Sequence, residues 1–437
     1  WAIQSVFGRL TYNYDQRYLF ETTMRYDGSS RFPTDSKYGF FPSASAGWRI
    51  SEEAFMEPVK EVISNLKLRA SYGFTGNTEI GVYESLATLG TSNWILGNQL
   101  VSGFFPNKIP NPDLKWERTG QFDIGLDLGL FNNRLRITTD YYKKKTTDLL
   151  YSVAVPATSG YQTMLKNIGS IENQGYELSI ESDNLTGAFS WTTAFNIAFN
   201  RNKVLELGGE EYKEMAEGDG HLKTGSVRRL IVGEPIGVFY GYRFDGIFQN
   251  EEECKQQTSS ASPIGVGLRR YKDLNGDGKV DAANDREILG DANPKFFGGL
   301  TNTFAYKGFE LNVFLQYSYG NKILNYNAME LENPTGGQNA YADMVNRWTP
   351  ENPSNIYPKA TTNRALLVSD RFIEDGSYLK LKTLSLSYSF PKINLKHIQG
   401  LRLYVTGQNL LTWTKYRGYD PEVSYRGAST LEAGEDF

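Results

Sequence analysis

The chain has 437 residues, a formal net charge of -4 and a single cysteine, Cys254. A slightly acidic chain argues against a general nucleic-acid binder, and a lone cysteine excludes an internal disulfide or a CxxC metal or redox pair. No apolar run approaches the roughly 20 residues that a membrane helix needs, so the sequence excludes spanning by helices.

Amphipathic strands follow one another along the chain. In residues 122–130 every second residue is Phe, Ile or Leu, and the residues between them are Asp or Gly, which is the period of a strand. Residues 189–200, 309–319 and 384–390 repeat the pattern. Such segments approach the roughly 9–11 residues that cross a bilayer when tilted. We predict about fourteen strands, beginning near Ser5, Tyr18, Tyr38, Leu66, Lys115, Arg134, Ile171, Ala188, Ser226, Phe239, Phe296, Phe309, Tyr378 and Leu401.

The connections between these strands alternate in length. Tight turns are predicted at residues 15–17, 131–133, 183–187 and 306–308, and long polar links separate them. The exception is residues 51–65, where a helical apolar pattern on the short-turn side predicts a small periplasmic helix. Short turns on one rim and long loops on the other are typical of an outer-membrane barrel.

The predicted fold is therefore an all-β, transmembrane, antiparallel up-and-down barrel with long extracellular loops. A 22-stranded barrel, the size of plugged transporters, would need further strands outside this chain. Two alternatives stay open: a secreted or surface-attached all-β glycan-binding module with a calcium-braced loop, and a passive porin.

The strongest local motif begins at Asp273. Oxygen-bearing side chains at positions 1, 3, 5 and 9, with Gly276 at position 6, match an EF-hand-like calcium loop. Position 12 is Asn284 rather than Glu, so Asp285 would have to close the site. We predict a structural Ca²⁺, and the alternative is a turn cluster that binds nothing. The proposed metal residues are Asp273, Asn275, Asp277, Lys279, Asp281 and Asp285.

Candidate ligand contacts lie in the predicted external loops. Aromatic rings there could stack on sugar rings or peptide side chains, or could serve loop packing or contact with another protein instead. Two arginines could meet an acidic ligand, although charge on a barrel's inner face is ordinary. These candidates are Tyr83, Trp94, Tyr341, Trp348, Arg228 and Arg229.

Catalysis finds little support in the sequence. His221 and His397 are the only histidines, are far apart and have no metal-ligand spacing. No GxSxG elbow frames a nucleophilic serine, and no GK[ST] follows a glycine pair as a phosphate loop requires. We expect no enzyme activity.

Several segments resemble one family of transporters. They are RYDGSSRF (residues 25–32), FPS with GWR (41–49), YGFTGN (72–77), NPDLKWE (111–117), NIG with ENQGYE (167–177) and GQNLL (407–411). In this order they cover nearly the whole chain. The chain thus resembles the barrel of SusC-like (SusC/RagA-type) TonB-dependent outer-membrane transporters of the Bacteroidota, in its C-terminal part.

The resemblance implies a location and partners. It implies a multi-pass barrel in the outer membrane of a Gram-negative bacterium, surrounded by lipid. The expected activity is TonB-dependent import of a bulky nutrient, an oligosaccharide or a peptide, under a SusD-like surface lipoprotein. A dimer of transporter–lipoprotein pairs would fit the family. The plug, the TonB-contacting segment and the closing strand are not found among the 437 residues, so we expect the chain to be one partial barrel domain from a longer precursor.

Overall fold

The computed structural model describes residues 1–215, 222, 224–333, 339–362, 366–390, 400–422, 424, 425, 427, 431 and 433–437. The chain divides into two compact units, each described by itself below. The first comprises Trp1–Asn184 with Asn202–Glu211, and the second comprises Leu185–Arg201 with Tyr212–Phe437.

The first unit is an antiparallel meander of seven long strands with two small hairpins. Each long strand pairs with the next long strand in sequence, in the order β1-β2-β3-β4-β7-β8-β11. The hairpins β5–β6 and β9–β10 lie in the long connections. The strands are β1 (Ile3–Tyr14), β2 (Tyr18–Ser29), β3 (Tyr38–Arg49), β4 (Ile63–Asn77), β5 (Leu89–Leu96), β6 (Gln99–Pro106), β7 (Glu117–Leu130), β8 (Leu135–Thr147), β9 (Leu150–Ala154), β10 (Thr163–Asn167) and β11 (Ser170–Thr186).

Five long strands form the frame of the second unit. Strand β12 pairs with β21, which continues through β22 and β25 to β26, and all of these pairs are antiparallel. The shorter strands of this unit lie in the connections. The strands are β12 (Phe189–Glu206), β13 (Tyr212–Glu214), β14 (Arg228–Ile231), β15 (Val238–Tyr242), β16 (Phe244–Ile247), β17 (Thr258–Ser259), β18 (Arg269–Tyr271), β19 (Lys279–Val280), β20 (Arg286–Gly290), β21 (Phe296–Tyr306), β22 (Phe309–Tyr319), β23 (Lys322–Asn325), β24 (Ile373–Asp375), β25 (Tyr378–Ser389), β26 (Arg402–Thr414) and β27 (Glu435–Asp436).

Helical structure is sparse in the described residues. The two α-helices are α1 (Glu251–Gln256) and α2 (Tyr326–Leu331), each capped by an asparagine side chain. The 3-10 helices are Thr34–Ser36, Ile50–Glu52, Ala54–Val59, Ala157–Ser159, Ala342–Asn346 and Asp370–Phe372. The helix predicted within residues 51–65 is therefore confirmed, as 3-10 rather than α geometry. Among the described residues, no helix combines the length and the hydropathy needed to span a bilayer.

Three of the four predicted tight turns fall at the predicted residues, but the turn predicted at residues 183–187 lies at residues 187–188, because β11 continues to Thr186. Between β21 and β22, Tyr306 pairs with Phe309, so only Lys307 and Gly308 form the turn. Both have positive φ, 46° and 88°, which matches the right-handed twist of the flanking strands. Asp15 and Gln16 adopt the same region after β1.

The packed cores lie in the connections rather than against the long strands. The main one joins residues from β15, β23 and α2 with the segment around residue 368. It comprises Leu222, Val227, Phe239, Leu324, Tyr326, Ala328, Met329, Leu366, Val368 and Phe372. We call the short strands β13–β20, β23, β24 and β27, with α1 and α2, the lobe.

The apolar faces of the long strands carry no second protein layer in the described part of the chain. Leu386 on β25 is 50 % exposed and Val405, its neighbour on β26, is 77 % exposed. The intervening positions, such as Ser385 and Thr406, are polar and hydrogen-bonded to each other. A glycan-binding module built as a soluble sandwich would bury one such face against a second sheet, so this arrangement contradicts a sandwich fold for that alternative.

The predicted count of about fourteen strands is wrong for the described residues, which contain twelve long strands. The two extra predictions, near Ser226 and Phe239, correspond to β14 and β15, which have four and five residues. Strands this short cannot cross a bilayer, which takes about nine residues. Phe239 of β15 packs in the main core of the lobe, and Leu230 of β14 is also buried.

Candidate functional site

A polar cavity lies on the face of β1–β4 and β7 opposite to the exposed apolar side chains. Its volume is about 450 Å³, and charged residues line it, among them Glu21, Lys67, Arg69 and Asp123. Period-2 alternation places these residues on one face. The cavity can therefore accept polar, hydrated groups.

An ion-pair network crosses three strands of this polar face. Arg69 on β4 donates to Asp127 at 2.9 and 3.1 Å and to Asp140 on β8 at 2.8 Å. The guanidinium reaches over Gly125 on β7, where a Cβ would lie 2.1 Å from the carboxylate of Asp140. Because Gly125 has no side chain, Arg69 can pass over it and pair with Asp140, and the ion pairs thus join three strands. The sequence analysis did not predict this network.

Two of the predicted aromatic contacts are exposed, and both belong to the first unit. Trp94 is 65 % exposed and Tyr83 is 63 % exposed. Trp94 lies on β5 in the hairpin β5–β6, which contains no charged residue. Large side chains near its tip, including Ile95 and Leu100, are also exposed. We call β5–β6 the apolar hairpin.

The two predicted aromatic contacts of the second unit have structural partners. Tyr341 packs partly buried against the main core. The indole Nε1 of Trp348 donates to Gln249 at 3.0 Å, and its ring lies over Gly267, where a Cβ would be 2.6 Å away. These contacts support loop packing for both residues.

Arg228 is buried with its own counter-charge. It is 2 % exposed, and its Nε donates to Glu435 at 2.9 Å while Nη1 donates to the Gly237 carbonyl at 2.6 Å. The guanidinium also lies 4.2 Å from the ring centre of Phe239. These contacts leave it no surface for a ligand in this structure.

Arg229 is also engaged by the lobe. Its guanidinium lies 4.0 and 3.8 Å from the ring centres of Tyr212 and Tyr240 and pairs with Glu214. A cation between two aromatic faces stabilises the small sheet that contains β13–β15. Cargo contact by Arg229 stays a prediction.

The predicted calcium loop closes through hydrogen bonds to its own backbone. Asp273 accepts from the N–H groups of Gly276 and Gly278, each at 2.7 Å. Asp285 is fully buried and accepts from Leu274 at 2.8 Å and from Asp281 at 2.7 Å. The carboxylate of Asp285 thus accepts hydrogen bonds from the backbone of the loop.

The remaining predicted ligands pair with one another. Asn275 donates to Asp277 at 3.0 Å, and Lys279 forms an ion pair with Asp281 at 3.0 Å. In the part of the chain that the structure describes, no three His, Cys, Asp or Glu side chains are grouped so that they could hold a metal. The carboxylate and amide side chains suit calcium, to which Lys279 could offer only its backbone carbonyl, and metal binding here stays a prediction.

Ion pairs attach the segment after β26 to β25, and the sequence analysis did not predict them. Lys380 on β25 is fully buried and donates to both carboxylate oxygens of Asp420 at 2.9 Å, and also to Glu422. Lys382 reaches Glu422 at 2.7 Å. Burial alone would raise the pKa of Glu422, but the two lysines lower it to about 2. We call residues 415–422 the strap.

The two histidines considered for catalysis, His221 and His397, lie outside the described residues. In the first unit, Trp94 lies in the apolar hairpin, Tyr83 lies in the connection before it, and charged residues line the polar face. The candidate residues of the second unit are divided between the lobe's core and its acidic loop. Neither arrangement places a nucleophile beside a base.

Sequence comparison relates the chain to receptors. Residues 1–410 match the family model described as TonB dependent receptor-like, beta-barrel. TonB-dependent receptor P3 of Formosa agariphila is 42 % identical over 425 residues, which are 97 % of this chain and 42 % of that protein. TonB-dependent receptor SusC of Bacteroides thetaiotaomicron is 33 % identical over 441 residues, 97 % of this chain and 41 % of that protein. The chain thus spans less than half the length of these relatives.

Structural comparison leads to a transporter of the same kind. The structure of the RagAB peptide transporter matches with a TM-score of 0.82 and 27 % sequence identity, covering 99 % of this chain and 45 % of that chain. The RagAB peptide importer in its closed-closed state matches with a TM-score of 0.81. These relatives are receptors and transporters, not enzymes, in agreement with the expectation from the sequence.

Proposed function

Because this chain belongs to the TonB-dependent receptor-like β-barrel family, with SusC among its relatives, we propose that it forms part of the wall of a nutrient importer. The importer moves an oligosaccharide or a peptide through the outer membrane, where the family resides. The observation that carries the proposal is the match to the RagAB transporter over 99 % of the chain, which includes the long connections as well as the strands.

A SusD-like lipoprotein and TonB are the proposed partners. The lipoprotein closes over the rim with the long connections, and TonB supplies energy through segments outside this chain. The apolar hairpin supports a protein or cargo contact on that rim, because exposed, charge-free aromatic surface is more favourable when it is covered. A dimer of transporter–lipoprotein pairs belongs to the same proposal.

The cargo class is tested by growth. A strain that lacks the gene for the full-length receptor should fail to grow when the transported polymer is the only nutrient. Oligosaccharide and peptide media are compared, with the matching monosaccharides and amino acids as controls. Normal growth of the deletion strain on every oligomer would contradict import by this receptor.

Substitution of the aromatic residues separates cargo contact from packing. Replacing Trp94 or Tyr83 by Ala should weaken binding of cargo or lipoprotein by about tenfold, the loss of one aromatic contact, without lowering the melting temperature. Trp348→Ala should instead loosen the lobe, because its indole is hydrogen-bonded within it. Calorimetry and thermal denaturation of the full-length receptor measure the two effects. Unchanged affinity in both exposed variants would remove these residues from the site.

We also propose calcium as a structural brace of the loop at Asp273. Support comes from its oxygen-bearing side chains and from the buried position of Asp285. Calorimetric titration of the calcium-stripped full-length receptor should give binding heat that Asp273→Asn removes. Asp245→Asn, on a neighbouring strand of the lobe, is the control. No heat at millimolar calcium would end this proposal.

A further inference from the structure

Two consecutive arginines on β18 have opposite environments. Side chains alternate across a strand, so Arg269 and Arg270 point to opposite faces. Arg270 is partly exposed and pairs with Asp245 at 2.9 Å. Arg269 is only 9 % exposed, and no carboxylate of the described residues lies within ion-pair distance of it.

The guanidinium of Arg269 has few partners. Its Nη2 donates to the carbonyl oxygen of Glu332 at 3.1 Å, and its Nε is buried without a hydrogen-bond partner. The Glu332 carboxylate is already shared by Arg371 at 2.6 Å and Arg417 at 3.0 Å. Phe372 covers the group, its ring centre 5.5 Å from the guanidinium carbon.

A buried cation of this kind is costly. Removing a charge from water without a counter-charge is strongly unfavourable, and an arginine stays protonated in proteins. Burial accordingly lowers the pKa of Arg269. Water could complete the hydrogen bonds of the guanidinium, but only an anion would also compensate the charge.

A small cavity adjoins this arginine. Its volume is about 40 Å³, and its lining includes Arg269, Ser262, Tyr271 and Asn333, with no acidic residue among the described residues that line it. Roughly 10–15 Å³ of such space holds one water molecule, so the cavity has room for a compact ion. A hydroxyl or amide group can donate to an anion in addition to the guanidinium.

We infer that Arg269 and this cavity bind a compact monoanion, either a free halide ion or the carboxylate group of an acidic ligand. The site lies in the lobe of the second unit, and the inference does not depend on import of any cargo. Bound there, the anion compensates the buried charge and stabilises the packing of β18 against the segment at Glu332.

The direct test uses crystals of the full-length receptor soaked in sodium bromide. An anomalous bromide peak within hydrogen-bond distance of Arg269 is expected. In solution, hydrogen exchange of residues 266–272 should slow several-fold when bromide replaces gluconate at constant ionic strength. Arg269→Gln should remove this protection, while the matched variant Arg270→Gln should keep it.

Acetate distinguishes the two sources of the anion. If acetate gives the same protection and displaces the bromide peak, the site accepts carboxylates; if it does neither, the site selects halides. Either result supports an anion site. Absence of the peak, together with equal exchange in bromide and gluconate, would overturn the inference. If Arg269→Gln does not fold, the crystal experiment on the unchanged receptor decides.

Discussion

At the scale of single residues, two glycines leave the space in which long side chains cross from one strand to another. Tyr317 on β22 pairs with Gly298 on β21 and donates from its hydroxyl, across that strand, to the carbonyl of Asn196 on β12 at 2.8 Å. Its ring lies over the glycine, so one hydrogen bond joins the outer strands of a three-strand group. Gly125 makes the corresponding space on the polar face for Arg69.

Replacing Gly298 by Ala should therefore destabilise the receptor. The new Cβ would lie 2.1 Å from the Asn196 carbonyl oxygen and 2.6 Å from the Tyr317 hydroxyl, and overpacking of this kind costs about 1–3 kcal/mol. Gly8→Ala is the control, because a Cβ there meets nothing within 4 Å. Thermal denaturation in detergent measures both variants. Equal melting temperatures for the two would contradict this account of Gly298.

At the scale of elements, ion pairs hold the strap to β24 and β25. Lys380 and Lys382 both reach Glu422, and Arg417 pairs with Glu374 at 2.7 Å. The folded pKa of Glu422, about 2, lies below its ordinary value of 4.5. A carboxyl whose pKa is lowered on folding stabilises the folded state above its ordinary pKa, and this contribution is lost as the pH falls through the folded pKa.

The strap should stay attached from pH 7 to pH 5 and loosen as the pH falls from about 4.5 toward 2. Tyr419, which is exposed, can be replaced by a labelled cysteine once Cys254 has been changed to Ser. Fluorescence anisotropy then reports the motion of the strap. Glu422→Gln should give low anisotropy at every pH, whereas Glu310→Gln, at an exposed pair with Arg402, should behave as the parent. A parent strap that is insensitive to acid would refute the attachment.

At the scale of the whole molecule, the location of the apolar side chains distinguishes this protein from a soluble one. Its buried hydrophobic residues lie mainly in the connections, while the apolar faces of the long strands are exposed. In an outer-membrane receptor of this family, lipid covers those faces. Such a chain needs no continuous apolar segment, because only every second side chain meets hydrocarbon.

An arginine should therefore be tolerated on one face of β25 and not on the other. Leu386→Arg should lower the unfolding free energy in lipid vesicles by about 2–4 kcal/mol if it lies near the bilayer midplane. Ser385→Arg, on the polar face next to Thr406, should cost much less. Urea unfolding in vesicles, followed by tryptophan fluorescence, measures both. Equal costs would show that the two faces do not differ in their contact with lipid.

The sequence by itself determined the class of fold, the polarity of the strand faces and the positions of most of the tight turns. These features depend on neighbours two to four residues apart, and alternation or turn chemistry expresses them directly. The segment at residues 307–308 is an example, since both residues adopt the positive φ that the turn requires.

Tertiary structure decided which long connections fold into the lobe and which charges become buried. The sequence predicted wall strands near Ser226 and Phe239, but the structure has the short strands β14 and β15 there, and Arg228 of β14 is buried against Glu435, which is far away in sequence. Similarly, Arg269 and Arg270 are identical, consecutive residues, so the sequence does not show that tertiary packing buries Arg269 and leaves Arg270 partly exposed. Burial depends on contacts between distant segments, which local patterns do not encode.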